Sequence, residues 1–315
     1  MRVFLSCLIV LGSTVANAQN YPQKSIRMLA PEAGGGGDFS ARLIAPGLSA
    51  RLGQQVLVDN RGAASGIIAG QLVKNATPDG HTLLFYGSAI WLLQYMQDNV
   101  PFHPLRDFVP ITVAAMAPSI LVVHPSVPVA SVNELIALAK AKPATLNYAS
   151  GAAAGASHLG PALFMSMTGV NLVRVNFKGT SPALNAVLAG EAHLMFPTTP
   201  LVAPHLKTGK LKALAITSLT PSALAPGLPT VAASLPGFEA GQKYAMFAPA
   251  KTPATIINRL HQEVVRVVNQ EDVKTKFLNV GTDVVGNSPQ QFVTMLKGEM
   301  ASMGKILKDS GVTSN

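Results

Sequence analysis

Residues 25–38 read SIRMLAPEAGGGGD, and the passage from apolar to glycine to polar within this stretch decides the fold. Ser25–Ala30 is a short apolar run of the kind that fills a buried strand, stopped by Pro31 and the glycine run Gly34–Gly37. Phe39 to Leu52 then carries Leu43, Leu48 and Leu52 at helical spacing, with Asp38 at the N-cap position. Gln55–Val58 predicts a second strand and Ile67–Asn75 a second helix. His81–Tyr86 follows as a third strand after the turn Pro78-Asp79-Gly80. A β-α-β-α-β order at this spacing predicts a parallel sheet covered by helices.

A second series follows. Ser119–Val123, Leu146–Ala149, Leu172–Phe177, His193–Phe196 and Ala213–Ile216 read as strands. Between them lie helices at Val132–Ala141, opened by Ser131 with Glu134 in a capping box, at Ser157–Thr168, ended by Gly169, and at Pro182–Ala189, ended by Gly190. Pro and Gly thicken from Pro221 to Gly241, which reads as a connecting segment, and Thr255–Asn269 and Pro289–Lys308 are long amphipathic helices. The expected organisation is two α/β lobes with a cleft between them, residues 19–118 plus 247–315 forming one and 119–246 the other.

Composition narrows the function. Of 315 residues 48% are apolar and only 12% charged, which excludes a disordered chain. Lys and Arg outnumber Asp and Glu 24 to 15, a net charge of +9, yet the cations (among them Lys74, Arg106, Lys140, Lys178, Lys207, Arg259 and Lys297) are scattered singly. No nucleic-acid motif accompanies them. At the N-terminus, Met1-Arg2 precedes the apolar run Val3–Val15, too short for a membrane span, and Ala16-Asn17-Ala18 offers the small residues of a signal-peptidase site. Cleavage after Ala18 is expected. It removes Arg2 and Cys7, the single cysteine, which sits too early for lipid attachment. The remaining 23 basic and 15 acidic residues give an exported, cysteine-free chain of charge +8.

Pro31 to Asp38 is a strand-to-helix glycine loop, which bares backbone N–H groups where the helix dipole favours an anion. It lacks the Lys-Ser/Thr of a phosphate-binding loop, and Phe39 stands where a dinucleotide loop needs glycine. Ser150 to Ser157 is a second small-residue loop before a helix, and Gly179-Thr180-Ser181-Pro182 a third helix start. Three such starts in β/α units gather at the carboxyl ends of the strands, where open sheets bind ligands. Catalytic patterns are missing: there is no Gly-x-Ser-x-Gly elbow, and the seven histidines (81, 103, 124, 158, 193, 205, 261) form no i,i+4 metal pair. His158 reads as a packing residue and Glu271-Asp272 as a solvated cap. No enzyme, metal or cofactor is expected.

The chain resembles the Bug (TctC-like) family of periplasmic solute-binding proteins, receptors of tripartite tricarboxylate transport systems. The resemblance rests on Tyr21-Pro22-x-Lys24-x-Ile26-Arg27, Gly35-Gly36-Gly37-Asp38-x-x-Ala41-Arg42, Leu52-Gly53-Gln54-x-Val56-x-Val58-x-Asn60-Arg61 and Pro78-Asp79-Gly80-x-Thr82-Leu83-Leu84. It continues through Asn147-Tyr148-Ala149-Ser150, His158-Leu159, Phe177-Lys178-Gly179-x-x-Pro182-Ala183-Leu184, Gly209-Lys210-Leu211-x-Ala213-Leu214-Ala215 and Ala248-Pro249-Ala250-x-Thr252-Pro253, the last similar to a return strand into the first lobe. It implies a two-lobed, type II Venus-flytrap fold. It also implies capture of a small carboxylate by backbone N–H groups and ordered water, with hinge closure. A monomer serving membrane permease subunits is the expected partner arrangement, with a sensor ectodomain as the alternative and a secreted α/β enzyme as a more distant one.

Loops and resemblance together nominate the ligand contacts. They are Ala33, Gly34, Gly35, Gly36, Gly37 and Asp38; Gly87 and Ser88; Ser150, Ala152, Ala154, Gly155 and His158; Phe177, Lys178 and Gly179; and Pro197. Departures from the family pattern bear on the ligand. Glu32 replaces an aromatic residue, the first loop is a residue shorter, and Ala152 and Ala154 replace glycines and a hydroxyl residue. Phe177 replaces Tyr, Pro197 replaces an Asp suited to an ammonium group, and Met303 replaces a Trp as a packing change. A less polar pocket burdened by fewer charges favours a monocarboxylate or an aromatic dicarboxylate over citrate and over an amino acid. Exported protein recovered from cells is expected to begin at Gln19 and to show no thiol titratable by a disulfide reagent; intact mass and thiol assay check both.

Overall fold

The computed structural model describes residues 21–309, apart from 32, 35, 63–65, 152–154 and 178, and apart from the side chains at 200, 203, 204, 308 and 309. The proposed cleavage site at Ala18 lies outside the described residues. The chain opens with β1 (Ile26–Ala30), α1 (Gly36–Leu52), β2 (Val56–Asn60), α2 (Ile67–Lys74), β3 (Thr82–Gly87), α3 (Ala89–Leu92), α4 (Pro104–Asp107) and β4 (Phe108–Pro118). It continues with β5 (Ile120–Val123), α5 (Val132–Ala141), β6 (Asn147–Ser150), α6 (Ala156–Thr168), β7 (Val173–Asn176), α7 (Thr180–Leu188), β8 (Leu194–Met195), α8 (Thr199–Lys207), β9 (Lys212–Ile216) and α9 (Val231–Ser234). It closes with β10 (Gly241–Pro249), α10 (Ala254–Val268), α11 (Glu271–Asn279), β11 (Asp283–Val284) and α12 (Pro289–Asp309).

Two sheets result. One has the order β11-β4-β10-β3-β1-β2, the other β7-β6-β8-β5-β9. The predicted parallel arrangement holds only in part. β1 is parallel to β2 and β3, and β6 to β7 and β8, but β10, β4 and β11 run antiparallel in the first sheet, as does β5 in the second. The physical reason is that β4, β5 and β10 carry the chain between the sheets and so cannot be βα-crossover strands. β4 escapes a reading by period because its run is buried along nearly its whole length and shows no alternation.

Each sheet has its own core. α1 buries Ala41, Ile44, Ala45, Leu48 and Leu52 against one face of the first sheet, and α10 adds Ile257, Leu260, Val264 and Val268 on the same side. On the other face Trp91, Phe108, Phe247 and Phe292 pack with ring centroids 5.0–6.1 Å apart. Met303 belongs to this cluster, in accord with its reading as a packing residue. The second sheet packs Phe164, Phe196 and Phe238 on one side and Leu184, Val187 and Met195 on the other.

The stretch 221–241 is not a free connector. Leu224 and Leu228 pack on the second sheet's core, Val231 and Phe238 are fully buried, and α9 is capped by Thr230, whose hydroxyl accepts from the Ala233 N–H. Apolar residues set between its prolines find burial, which hydrophilic linker residues would not. The return to the first sheet begins at Gly241, so Gly241–Met246 pair with β3 and β4 although residues up to 246 were expected in the second lobe.

Phe247→Ala removes the ring at the centre of the aromatic cluster. It is expected to destabilise the protein by about 3–5 kcal/mol, read as a lowered urea midpoint followed by the fluorescence of Trp91, the sole tryptophan.

Candidate functional site

A cavity of about 850 Å³ lies between the sheets. Its walls are the starts of four helices of nine residues or more: Gly36 and Gly37 of α1, Gly155, Ala156 and Ser157 at α6, Thr180 and Ser181 of α7, and Thr198 before α8. β3 contributes Tyr86 and Gly87, β10 contributes Gln242 and Tyr244, and Pro31, Ala89, Phe196, Pro197 and Leu201 complete it. Among the described residues no lining side chain carries a charge. α6, α7 and α8 have no side-chain cap and no acidic residue in the first turn. Among the helices that start away from the cavity, α4, α5 and α9 are capped by His103, Ser131 and Thr230, whereas α2, α10 and α11 have no side-chain cap. The bare N–H groups and the positive ends of the helix dipoles therefore converge on one uncharged space, which is the electrostatics of an anion site.

The first loop is held by Asp38, which is not the helix N-cap expected of it. α1 begins at Gly36, because two glycines there take helical backbone and the Asp38 carboxylate reaches back to the loop. It accepts from the Gly34 N–H (2.9 Å), Asn60 Nδ2 (2.8 Å) and Arg42 Nε (2.8 Å), while Asn60 Nδ2 also donates to the Pro31 carbonyl (2.6 Å). Burial opposes this charge, but those donors and the Arg42 guanidinium outweigh it and hold the carboxyl below the ordinary aspartate value. Asp38 thus shapes the loop and turns its charge away from the cavity. A methyl group at Gly36 would collide with the Tyr244 hydroxyl, so glycine there lets α1 and β10 approach.

The second loop is braced from behind. Ser157 Oγ accepts from the Gly151 N–H (3.1 Å), and Arg174 on β7 donates to Ser150 Oγ (2.7 Å) and the Gly151 carbonyl (3.4 Å). A Cβ at Gly151 would stand 3.0 Å from the Gly179 carbonyl carbon and the Thr180 nitrogen, so the second and third loops abut there. His158, one residue beyond Ser157, is 2% exposed. Burial first, and the Arg174 charge second, push its imidazole down to about 4, so it is neutral at neutral pH.

Of the nominated contacts, Gly36, Gly37, Gly87, Gly155 and Pro197 line the cavity. Gly34 lines a side chamber of about 330 Å³ that shares Gly36, Thr198 and Tyr244 with the main space. Ala33 is exposed, and Ser88, Ser150, His158 and Gly179 support the walls from behind; Ser88 Oγ accepts the Lys243 N–H at 3.3 Å. Phe177 packs against the second sheet's core instead of facing the cavity. The hydroxyl it lacks is therefore not one taken from the lining, which carries hydroxyls at Tyr86, Ser157, Thr180, Ser181, Thr198 and Tyr244. Glu32, Gly35, Ala152, Ala154 and Lys178 lie outside the described residues. Tyr86, Gln242 and Tyr244 were missed because strand residues reach the site only through sheet order. Ser157, Thr180 and Ser181 lay within the quoted loops and were findable as hydroxyls in a helix's first turn.

A profile described as "Tripartite tricarboxylate transporter family receptor" matches residues 40–312. The chain belongs to that receptor family. BugT of Bordetella pertussis is 31% identical over 299 residues, covering 94% of this chain and 92% of BugT. Among solved structures, R. palustris Rpa4515 with adipate is 32% identical with TM-score 0.71, covering 93% of this chain and 99% of that one. MatC from Rhodopseudomonas palustris with bound malate is 28% identical with TM-score 0.67, covering 91% and 100%. The receptor family and its solved members are two-lobed solute-binding proteins, not enzymes. Within the described residues no helix is long and apolar enough to cross a membrane, and no three His, Cys, Asp or Glu side chains gather for a metal.

The His158 shift has a consequence for stability. Folded His158 protonates only near 4, whereas an unfolded histidine takes its proton at 6.5. Between those values the unfolded chain binds the extra proton, so stability is full above about 6.5 and falls as pH drops toward 4. Urea titrations across this window are expected to show a flatter decline in His158→Gln than in the wild type.

Proposed function

We propose that the protein is a periplasmic receptor that captures a small carboxylate in the inter-sheet cavity and, as a monomer, delivers it to membrane permease subunits of a tripartite tricarboxylate-type transporter. The observation that carries this reading is the convergence of four helix N-termini on a space that, among the described residues, no charged side chain lines. A carboxylate there is neutralised by main-chain N–H groups and hydroxyls, and the protein need not bury a cation when the cavity is empty of ligand. The lobes would close over it about the two chain crossings between the sheets.

For the ligand itself, we favour a monocarboxylate or an aromatic dicarboxylate. Phe196, Leu201, Pro31 and Pro197 provide apolar wall for a ring or an alkyl body, and the side chamber with Phe39, Ala117 and Val280 extends it. Neutral dipoles solvate one or two negative charges more readily than the three of citrate. The adipate and malate of the two solved relatives are carboxylates of low charge, which supports the class. Pro197 offers no anion for an ammonium group, which argues against an amino acid.

Thermal-shift measurements on the mature protein with benzoate, phthalate, adipate, malate and citrate test this. Ligand at about 100 times its Kd adds about 2.7 kcal/mol, a Tm rise of several degrees. The rise is expected with benzoate or phthalate and not with citrate, and Gly36→Ala, which crowds Tyr244, should reduce it. Stabilisation by citrate with none by the aromatic acids would overturn the ligand assignment.

A further inference from the structure

The strand β10 has a cavity on each of its faces. Gln242 and Tyr244 face the large cavity, while Gly241 and Lys243, the alternate residues, face a second crevice of about 480 Å³. α6 is shared in the same way. Its first turn, Gly155 to Ser157, lines the front cavity, and Leu159 and Leu163 further along line the crevice behind. The opposite wall of the crevice is α12, through Met295, Glu299 and Met303.

These walls belong to different lobes. Phe164 of α6 is part of the second sheet's core, whereas Phe292, Leu296 and Met300 of α12 are part of the first. Leu159 and Leu163 nevertheless reach across and pack against the first sheet's aromatic cluster. Between front and back run the two chain crossings, Ser119 and Ala240–Gly241, held side by side by Thr217. Close to this axis Lys243, only 5% exposed, is flanked by Glu239 Oε2 at 3.2 Å and Glu299 Oε2 at 3.5 Å. Glu239 and Lys243 stand on either side of the second crossing, so their ion pair bridges it.

Two rigid bodies that turn about such an axis close on one side only by opening on the other. Narrowing the front cavity therefore draws α6 away from α12 and strips Leu159 and Leu163 of apolar contact, which costs free energy. We propose that the α6–α12 contact behind the hinge is a counterweight to the ligand cleft, which holds the lobes apart and sets the receptor's affinity through side chains that never touch ligand. The inference rests on the reading of the front cavity as a ligand cleft that closes. The open-to-closed balance scales the apparent Kd directly, so residues in the crevice tune affinity without altering recognition.

The test compares wild type with Leu159→Ala and with the surface pair Met167→Glu plus Ser302→Glu. The pair places like charges on α6 and α12 and keeps the buried core intact. Small-angle scattering without ligand is expected to show a smaller radius of gyration for both variants, with the shift of the charged pair lost at high salt. Titration with adipate is expected to give a several-fold lower Kd in both. An unchanged radius in the charged pair at low salt, or a weakened adipate affinity alongside a smaller radius, would overturn the counterweight. A smaller radius in both variants with no adipate, benzoate or phthalate binding in any protein, wild type included, would uphold it and refute the carboxylate-receptor reading instead.

Discussion

Everything in this molecule depends on two strands of chain passing between the lobes side by side. β4 runs to Pro118, Ser119 crosses and β5 begins at Ile120, while the return crosses at Ala240–Gly241, opposite Pro118 in register. Thr217, with no solvent exposure, fastens the two. Its hydroxyl donates toward the Ser119 and Ala240 carbonyls and accepts the Ser119 N–H at 2.7 Å, and its carbonyl accepts the Ala240 N–H at 3.0 Å. Gly241 permits the approach, since a Cβ there would stand 2.6 Å from the Ala117 carbonyl oxygen. A junction this narrow and this well hydrogen-bonded defines an axis. The front cavity and the rear crevice owe their opposed positions to it.

The chemistry of the front cavity follows from what its helices omit. A helix start normally satisfies its first N–H groups with a Ser, Thr or Asp side chain, as α5 does with Ser131. At α6 and α7 that position is glycine, and at α8 the Thr198 side chain makes no capping bond. The stabilisation given up by each missing cap, about 0.5–2 kcal/mol, is available to an anion that supplies the acceptor. The one carboxylate within the first turn of the four cavity helices, Asp38, is neutralised by Arg42 and committed to the Pro31–Gly34 loop. Among the described residues no cation lines the cavity. Arg174 acts from behind, bracing the loop start at Ser150 and Gly151.

Much of this was legible along the chain. The β-α-β-α-β opening, the helix Val132–Ala141 with its capping box and the three glycine-rich helix starts all followed from local signals, because apolar period, caps and turns act over a few residues. The strands β4 and β10 were harder. Their residues are buried along most of their length, so no alternation marks them, and their antiparallel pairing is a fact of crossing between lobes. Phe177 shows the same limit at the scale of a side chain. It sits in a loop beside the site, yet points into the second core, and only the packing around it settles that direction.

The sequence by itself determined the three glycine-rich helix starts and how each short β/α unit pairs apolar faces, since both are properties of neighbours in the chain. Tertiary structure decided that four helix starts meet in one space, that Tyr86, Gln242 and Tyr244 join them, and that the same strand turns Lys243 to a second crevice. Those outcomes depend on sheet order and on the single axis at Ser119 and Gly241. Residues more than a hundred positions apart are brought there by pairing that no local pattern records.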